Sequence, residues 1–91
     1  MPDAEDDIRR KRLLLRAWRR GTREADLFLG TFAETNLGDF DAAQLAAFEA
    51  LLDVSDAELF DWITRRAAPP AEFDTAVTRR LLAFRYIHRP S

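Results

Sequence analysis

Charge is segregated along this chain, and the segregation restricts how it can fold. From Ile8 to Arg23 there are eight basic residues and no acidic one: Arg9, Arg10, Lys11, Arg12, Arg16, Arg19, Arg20 and Arg23. From Glu24 to Thr64 the pattern inverts, with ten carboxylates and no Lys or Arg. The blocks 1–7, 8–23, 24–64 and 65–91 carry −4, +8, −10 and +4, giving the net charge of −2. Helices of opposite sign attract when packed, so much of this polarity is expected to be spent within the fold. The sign changes between Arg23 and Glu24, just after Gly21, the first glycine of the sequence.

Local signals divide the chain into helices. Helix 1 is expected over about Ala4 to Arg19, with Asp6 and Asp7 in its first turn and arginines in its last, both matching the helix macrodipole. Ile8, Leu15 and Trp18, with Leu14, recur near helical spacing and are expected to face the core. Gly21 suits the left-handed residue after a helix end, and Thr22 can cap the next helix. Helix 2 reads from about Arg23 to Thr35, with Leu27, Phe28, Leu29 and Phe32 as apolar surface and Gly30 as a point of close helix approach. Asn36 to Asp39 reads as a loop.

Two capping boxes follow. Asp41 and Gln44 form the first, with Phe40 and Leu45 as a hydrophobic staple; Ser55 and Glu58 form the second, with Val54 and Leu59. Helix 3 presents Leu45, Phe48, Leu51 and Leu52, and helix 4 presents Phe60, Trp62 and Ile63 before stopping ahead of Pro69-Pro70. Helix 5 is expected over about Ala71 to Tyr86, with Phe73, Val77, Leu81 and Phe84 on one face. Nothing alternates with a period of two. The predicted fold is all-α, a compact bundle of five short helices in one domain covering 1–91, with 1–5 and 87–91 as loose ends.

Composition narrows the chemistry. The absence of cysteine excludes disulfides and thiolate chemistry, and a single histidine, His88, excludes a multi-histidine metal site. There is no Gly-rich phosphate loop and no metal-ligand spacing, so an enzyme is not expected. Aspartates such as Asp39 and Asp41 are explained by capping and loop roles, and Trp18, Trp62 and the phenylalanines by a core. No apolar run approaches the roughly 20 residues of a membrane span, and the start is acidic, unlike a mitochondrial presequence, so a cytoplasmic protein without membrane insertion is expected. A basic helix alone suits nucleic acid, but the acidic centre and a pI of 5.3 argue against that partner.

The joint between helices 1 and 2 reads Arg19-Arg20-Gly21-Thr22-Arg23-Glu24. A helix stop accounts for Gly21 and a helix start for Glu24, yet a purely structural turn does not need so many guanidiniums. That run, followed by Asp26, Phe32, Leu51-Leu52 and the segment Asp56-Ala57-Glu58-Leu59-Phe60-Asp61-Trp62, resembles the FAD assembly factor SdhE family, whose mitochondrial members are called succinate dehydrogenase assembly factor 2. The resemblance covers about Ile8 to Phe84. It implies a five-helix, non-enzymatic chaperone that binds the flavoprotein subunit of succinate dehydrogenase and promotes covalent attachment of FAD, with the fumarate reductase flavoprotein as a second candidate client. The FAD then belongs to the client, and this chain is expected to bind no cofactor stably; a monomer is expected as well. By the same resemblance the Arg-Gly-x-x-Glu motif falls on Arg20, Gly21 and Glu24, with Arg19 and Arg23 beside it, and meets the partner near its flavin. Ala25 and Thr31 depart from residues found in some members. The other reading is a general helical interaction module whose basic first helix docks on a different acidic partner.

Overall fold

The computed structural model describes residues 4–84. Among them five α-helices follow one another: α1 (Ala4–Trp18), α2 (Arg23–Asn36), α3 (Ala42–Leu52), α4 (Asp56–Ile63) and α5 (Ala76–Ala83). Two short 3-10 turns, Leu37–Asp39 and Ala71–Phe73, precede α3 and α5. The described residues contain no strand, so the fold is the all-α bundle that the periodicity predicts.

Caps set most of the boundaries. Thr22 has extended backbone angles and its Oγ1 accepts from the Ala25 N–H at 3.3 Å, starting α2. The box at α3 is complete: Asp41 Oδ1 accepts from the Gln44 N–H at 2.8 Å, and Gln44 Oε1 accepts from the Asp41 N–H at 2.9 Å. The box expected at α4 is half made. Ser55 Oγ accepts from the Glu58 N–H at 3.2 Å, and no return bond from Glu58 forms among the described residues. α4 closes with the paired bonds of a Schellman motif, Arg66 N–H to Asp61 O at 2.8 Å and Arg65 N–H to Trp62 O at 3.2 Å. The left-handed position is held by Arg65, at φ +63°, in place of a glycine.

Two expectations are corrected here. The region 71–86 is not one helix: Thr75, whose Oγ1 accepts from the Thr78 N–H at 3.1 Å, caps a new helix that ends at Ala83, with Phe84 extended. A hydroxyl that satisfies an orphan N–H competes with continuing the preceding turn, which is why the chain restarts there. Of the expected loose ends, 1–5 and 87–91, residues 1–3 and 87–91 (His88 among them) lie outside the described residues, as does Tyr86, while Ala4 and Glu5 form the start of α1. The second correction concerns α1. Ile8 and Leu15 are exposed, while Leu13 and Ala17 are buried and Leu14 is half-buried. Positions 10, 13, 14 and 17 form the inward stripe, opposite 8, 12 and 15 at about 100° per residue. Its members include an arginine and an alanine, so apolar bulk alone pointed to the wrong face.

Phe32, fully buried in the middle of α2, links the helices. Its ring lies 5.6 Å from Phe48 of α3, 5.5 Å from Phe84 after α5 and 6.3 Å from Phe40. Such tilted and edge-on rings contribute about 0.5–1.5 kcal/mol per pair beyond area burial. α1 packs along α2 through Trp18, whose indole covers Gly30; a Cβ at Gly30 would overlap Cδ2, Cε2 and Cε3 of that ring. α1 also reaches over the bundle with Arg10, which donates to Leu37 O at 3.0 Å and Phe40 O at 2.8 Å and so fastens the turn between α2 and α3.

Candidate functional site

The loop from Arg19 to Thr22 is held by α2, the helix that follows it. Asp26, in the first turn of α2, turns its carboxylate back, and Oδ1 accepts from the Arg20 N–H at 2.6 Å and the Gly21 N–H at 3.1 Å. Gly21 adopts φ +112°, a region that side chains strain against, and a Cβ there would meet no neighbouring atom. The requirement for glycine is therefore conformational within the chain itself. α1 stops one residue earlier than expected, at Trp18, so Gly21 lies within the linking loop rather than immediately after the helix.

Arg20 points inward. Its guanidinium donates from Nε to Asp56 Oδ1 at 2.8 Å, from Nη2 to Val54 O at 2.6 Å and from Nη1 to Leu52 O. Only 11% of the Arg20 side chain and 25% of the Asp56 side chain are exposed. The last carbonyl of α3, Leu52 O, and that of Val54 in the turn beyond it need partners that the helix cannot supply, and a planar fork of donors meets both while pairing with the first carboxylate of α4. Arg20 thus fastens the α3–α4 turn to the α1–α2 loop, the same device that Arg10 applies one turn earlier. Asp26 and Asp56, which the charge pattern alone did not single out as site residues, are what hold this arrangement.

The remaining motif residues face solvent. Arg19, Gly21, Arg23 and Glu24 are exposed, and the side chains of Arg19, Arg23 and Glu24 make no hydrogen bond or ion pair among the described residues. Arg23 and Glu24 are the first two residues of α2, so their Cα positions are fixed by the helix. Beside the loop an open depression of about 350 Å³ is lined by Leu15, Arg16, Arg19 and Arg20. The structure therefore brings the five predicted residues together at one corner and divides their work. Arg20 fastens the corner from within; Arg19, Gly21, Arg23 and Glu24 form its outer edge. A rigid edge with two cations and one carboxylate can bind polar groups of a partner, and it contains no nucleophile with an adjacent base. The described residues include no group of three or more acidic or histidine side chains placed to hold a metal, and no helix long and apolar enough to cross a membrane.

Known proteins are similar to this sequence over most of its length. The FAD assembly factor SdhE of Acetobacter pasteurianus is 40% identical over 88 residues, covering 94% of this chain and 81% of that protein. The mitochondrial succinate dehydrogenase assembly factor 2-B of Drosophila simulans is 39% identical over 82 residues, covering 88% of this chain and 53% of the relative. The mitochondrial succinate dehydrogenase assembly factor 2 of Dictyostelium discoideum is 40% identical over 70 residues, covering 77% of this chain and 50% of the relative. The chain thus spans about half the length of these mitochondrial relatives. Residues 11–85, which contain the whole clamped corner, match the model of the Sdh5 family, described as the flavinator of succinate dehydrogenase, and the chain belongs to that family.

Proposed function

We propose that this chain is an assembly factor that binds the flavoprotein subunit of succinate dehydrogenase and promotes covalent attachment of FAD to it, without being the catalyst. The observation that carries this reading is the clamped corner in a chain of the flavinator family: Asp26 and Arg20 immobilise a loop whose outer edge offers Arg19, Arg23 and Glu24. The flavin and the group that attacks it belong to the client. This chain contributes orientation. A docked, rigid edge lowers the entropic part of the barrier by holding client segments in a reactive arrangement, which is a proximity effect. Fixed charges at that edge interact more strongly once docking excludes water. The same reading includes a monomer in the cytoplasm and the fumarate reductase flavoprotein as a second client.

Flavin fluorescence of the flavoprotein subunit on a denaturing gel, with and without this chain, tests the reading. Covalent flavin should appear faster or in higher yield when the chain is present. Glu24→Asp is the sharper probe. The exposed Glu24 side chain makes no hydrogen bond or ion pair among the described residues, so shortening it by one methylene should leave stability within about 0.5 kcal/mol, as for other exposed positions, while covalent flavin falls several-fold. Equal flavinylation with and without the chain overturns the function. Flavinylation that falls only in step with lost stability removes Glu24 from the site.

A further inference from the structure

Eight basic residues lie between Ile8 and Arg23, and the fold divides them. Arg9 and Arg16 reach across to α3, pairing with Glu49 at 3.5 Å and Asp53 at 2.9 Å. Arg10 and Arg20 fasten the two turns described above. Lys11, Arg12, Arg19 and Arg23 are exposed, with no side-chain hydrogen bond or ion pair among the described residues. The acidic middle of the chain therefore neutralises one flank of α1 and leaves the other side positive.

That outer side also carries the large hydrophobic residues that stay exposed among the described residues, Ile8 at 51% and Leu15 at 49%. Ile8, Arg12 and Leu15 follow one another at spacings of four and three, which places them in one narrow stripe along the helix, and Arg19 follows in the loop just after its end. Single exposed aliphatic residues are ordinary. Two in helical register, separated by a free arginine and absent elsewhere on the described surface, form an anchored stripe. Its far end meets the depression lined by Leu15, Arg16, Arg19 and Arg20, so it runs without interruption into the clamped corner.

We propose that the outer stripe of α1 is a docking surface for an acidic protein surface with a shallow apolar cleft, carried by the flavoprotein client. Ile8 and Leu15 fill the cleft, and Lys11 and Arg12 pair with its carboxylates. The inference rests on the assembly-factor reading and extends its contact from the corner along the whole of α1. A helix seated by i, i+4 and i+7 anchors is a common mode of recognition between proteins. A lipid surface is a poorer match, because a helix lying in a membrane interface presents a broad apolar face with aromatic residues, and this stripe offers two aliphatic side chains. Phosphate backbones need the cations but not the aliphatic anchors between them.

Calorimetric titration of the full chain onto the purified flavoprotein subunit tests the stripe, with association rates measured at low and high salt. Ile8→Ser and Leu15→Ser should each weaken Kd by about tenfold, as loss of an anchor side chain does, with an unchanged thermal midpoint. The double variant Lys11→Glu and Arg12→Glu should slow association at low salt and flatten its salt dependence, because these charges steer the encounter. Ala43→Ser, on the exposed side of α3, should bind like the unaltered chain. If the unaltered chain binds and the stripe variants match it in Kd and salt dependence, the stripe is not the docking surface. If the unaltered chain fails to bind, the assembly-factor reading falls and the stripe with it. If the same variants lose binding to phosphatidylserine vesicles while binding the flavoprotein normally, the stripe serves a membrane and the proposal is overturned.

Discussion

Replacing Arg20 by lysine keeps the charge and removes the fork. An ammonium can approach Asp56 or one carbonyl, but it cannot meet Leu52 O, Val54 O and Asp56 Oδ1 together. Leaving part-buried acceptors without a donor costs about 1–3 kcal/mol, so Arg20→Lys should lower the thermal midpoint by roughly 4–8 °C for each kcal/mol lost in a domain of this size. Combined with Asp56→Ala, the losses should be less than additive, and a double-mutant cycle measures the coupling. Full additivity would show that the pair does not act as a unit. Arg65 is the opposite case. It holds a left-handed φ of +63° at the end of α4, where a Cβ is strained. Arg65→Gly should therefore stabilise the chain by up to about 1 kcal/mol, less the entropy that glycine returns to the unfolded state. A lower melting temperature for that variant would show that the arginine side chain contributes more than the strain costs.

At the scale of elements, the α1–α2 contact depends on a missing side chain. Gly30 is buried under the Trp18 indole, whose Nε1 donates to Glu34 Oε1 at 3.2 Å. Gly30→Ala gains about 1 kcal/mol of helix propensity. The added methyl would occupy the same space as the base of the indole ring, and overpacking of this kind costs about 1–3 kcal/mol. The packing loss should win. Gly30→Ala should lower stability modestly and expose Trp18 further, seen as a red shift of its emission relative to the unaltered chain. The sequence identified Gly30 as a site of close approach but not the partner that approaches it. The capping residues were more legible: Thr22, Asp41 and Ser55 all start helices where local pattern placed them, because an N-cap acts over three or four residues. Thr75 uses the same chemistry and was hidden by an apolar pattern that continues across it.

For the whole molecule, the charge blocks invite the idea that electrostatics holds the bundle together. The geometry argues otherwise. The pairs joining α1 to α3, Arg9–Glu49 and Arg16–Asp53, are largely exposed, and exposed pairs contribute about 0–1 kcal/mol. The phenylalanine-rich core does the larger part. The isolated chain should therefore show high helicity by circular dichroism and melt cooperatively without flavin or partner, with a midpoint that moves little between low and high salt. A steep fall in stability with added salt would mean that surface pairing, not burial, dominates.

Local chemistry determined what could be read from the sequence: helix type, most of the caps, the positive φ at Gly21 and the chain's likeness to a family. Each depends on neighbours within a few residues, or on a linear pattern that survives without coordinates. The tertiary structure decided which side of α1 is buried. Two stripes on that helix have comparable apolar content, and only packing against α2 and α3 selects Arg10, Leu13, Leu14 and Ala17 over Ile8 and Leu15. It also separated arginines that are equivalent in the sequence, turning Arg10 and Arg20 toward carbonyls 27 to 34 positions away and leaving Arg12 and Arg19 in solvent. A guanidinium responds to whatever acceptor the fold brings within reach, and that acceptor is set by helix packing, which no local window contains.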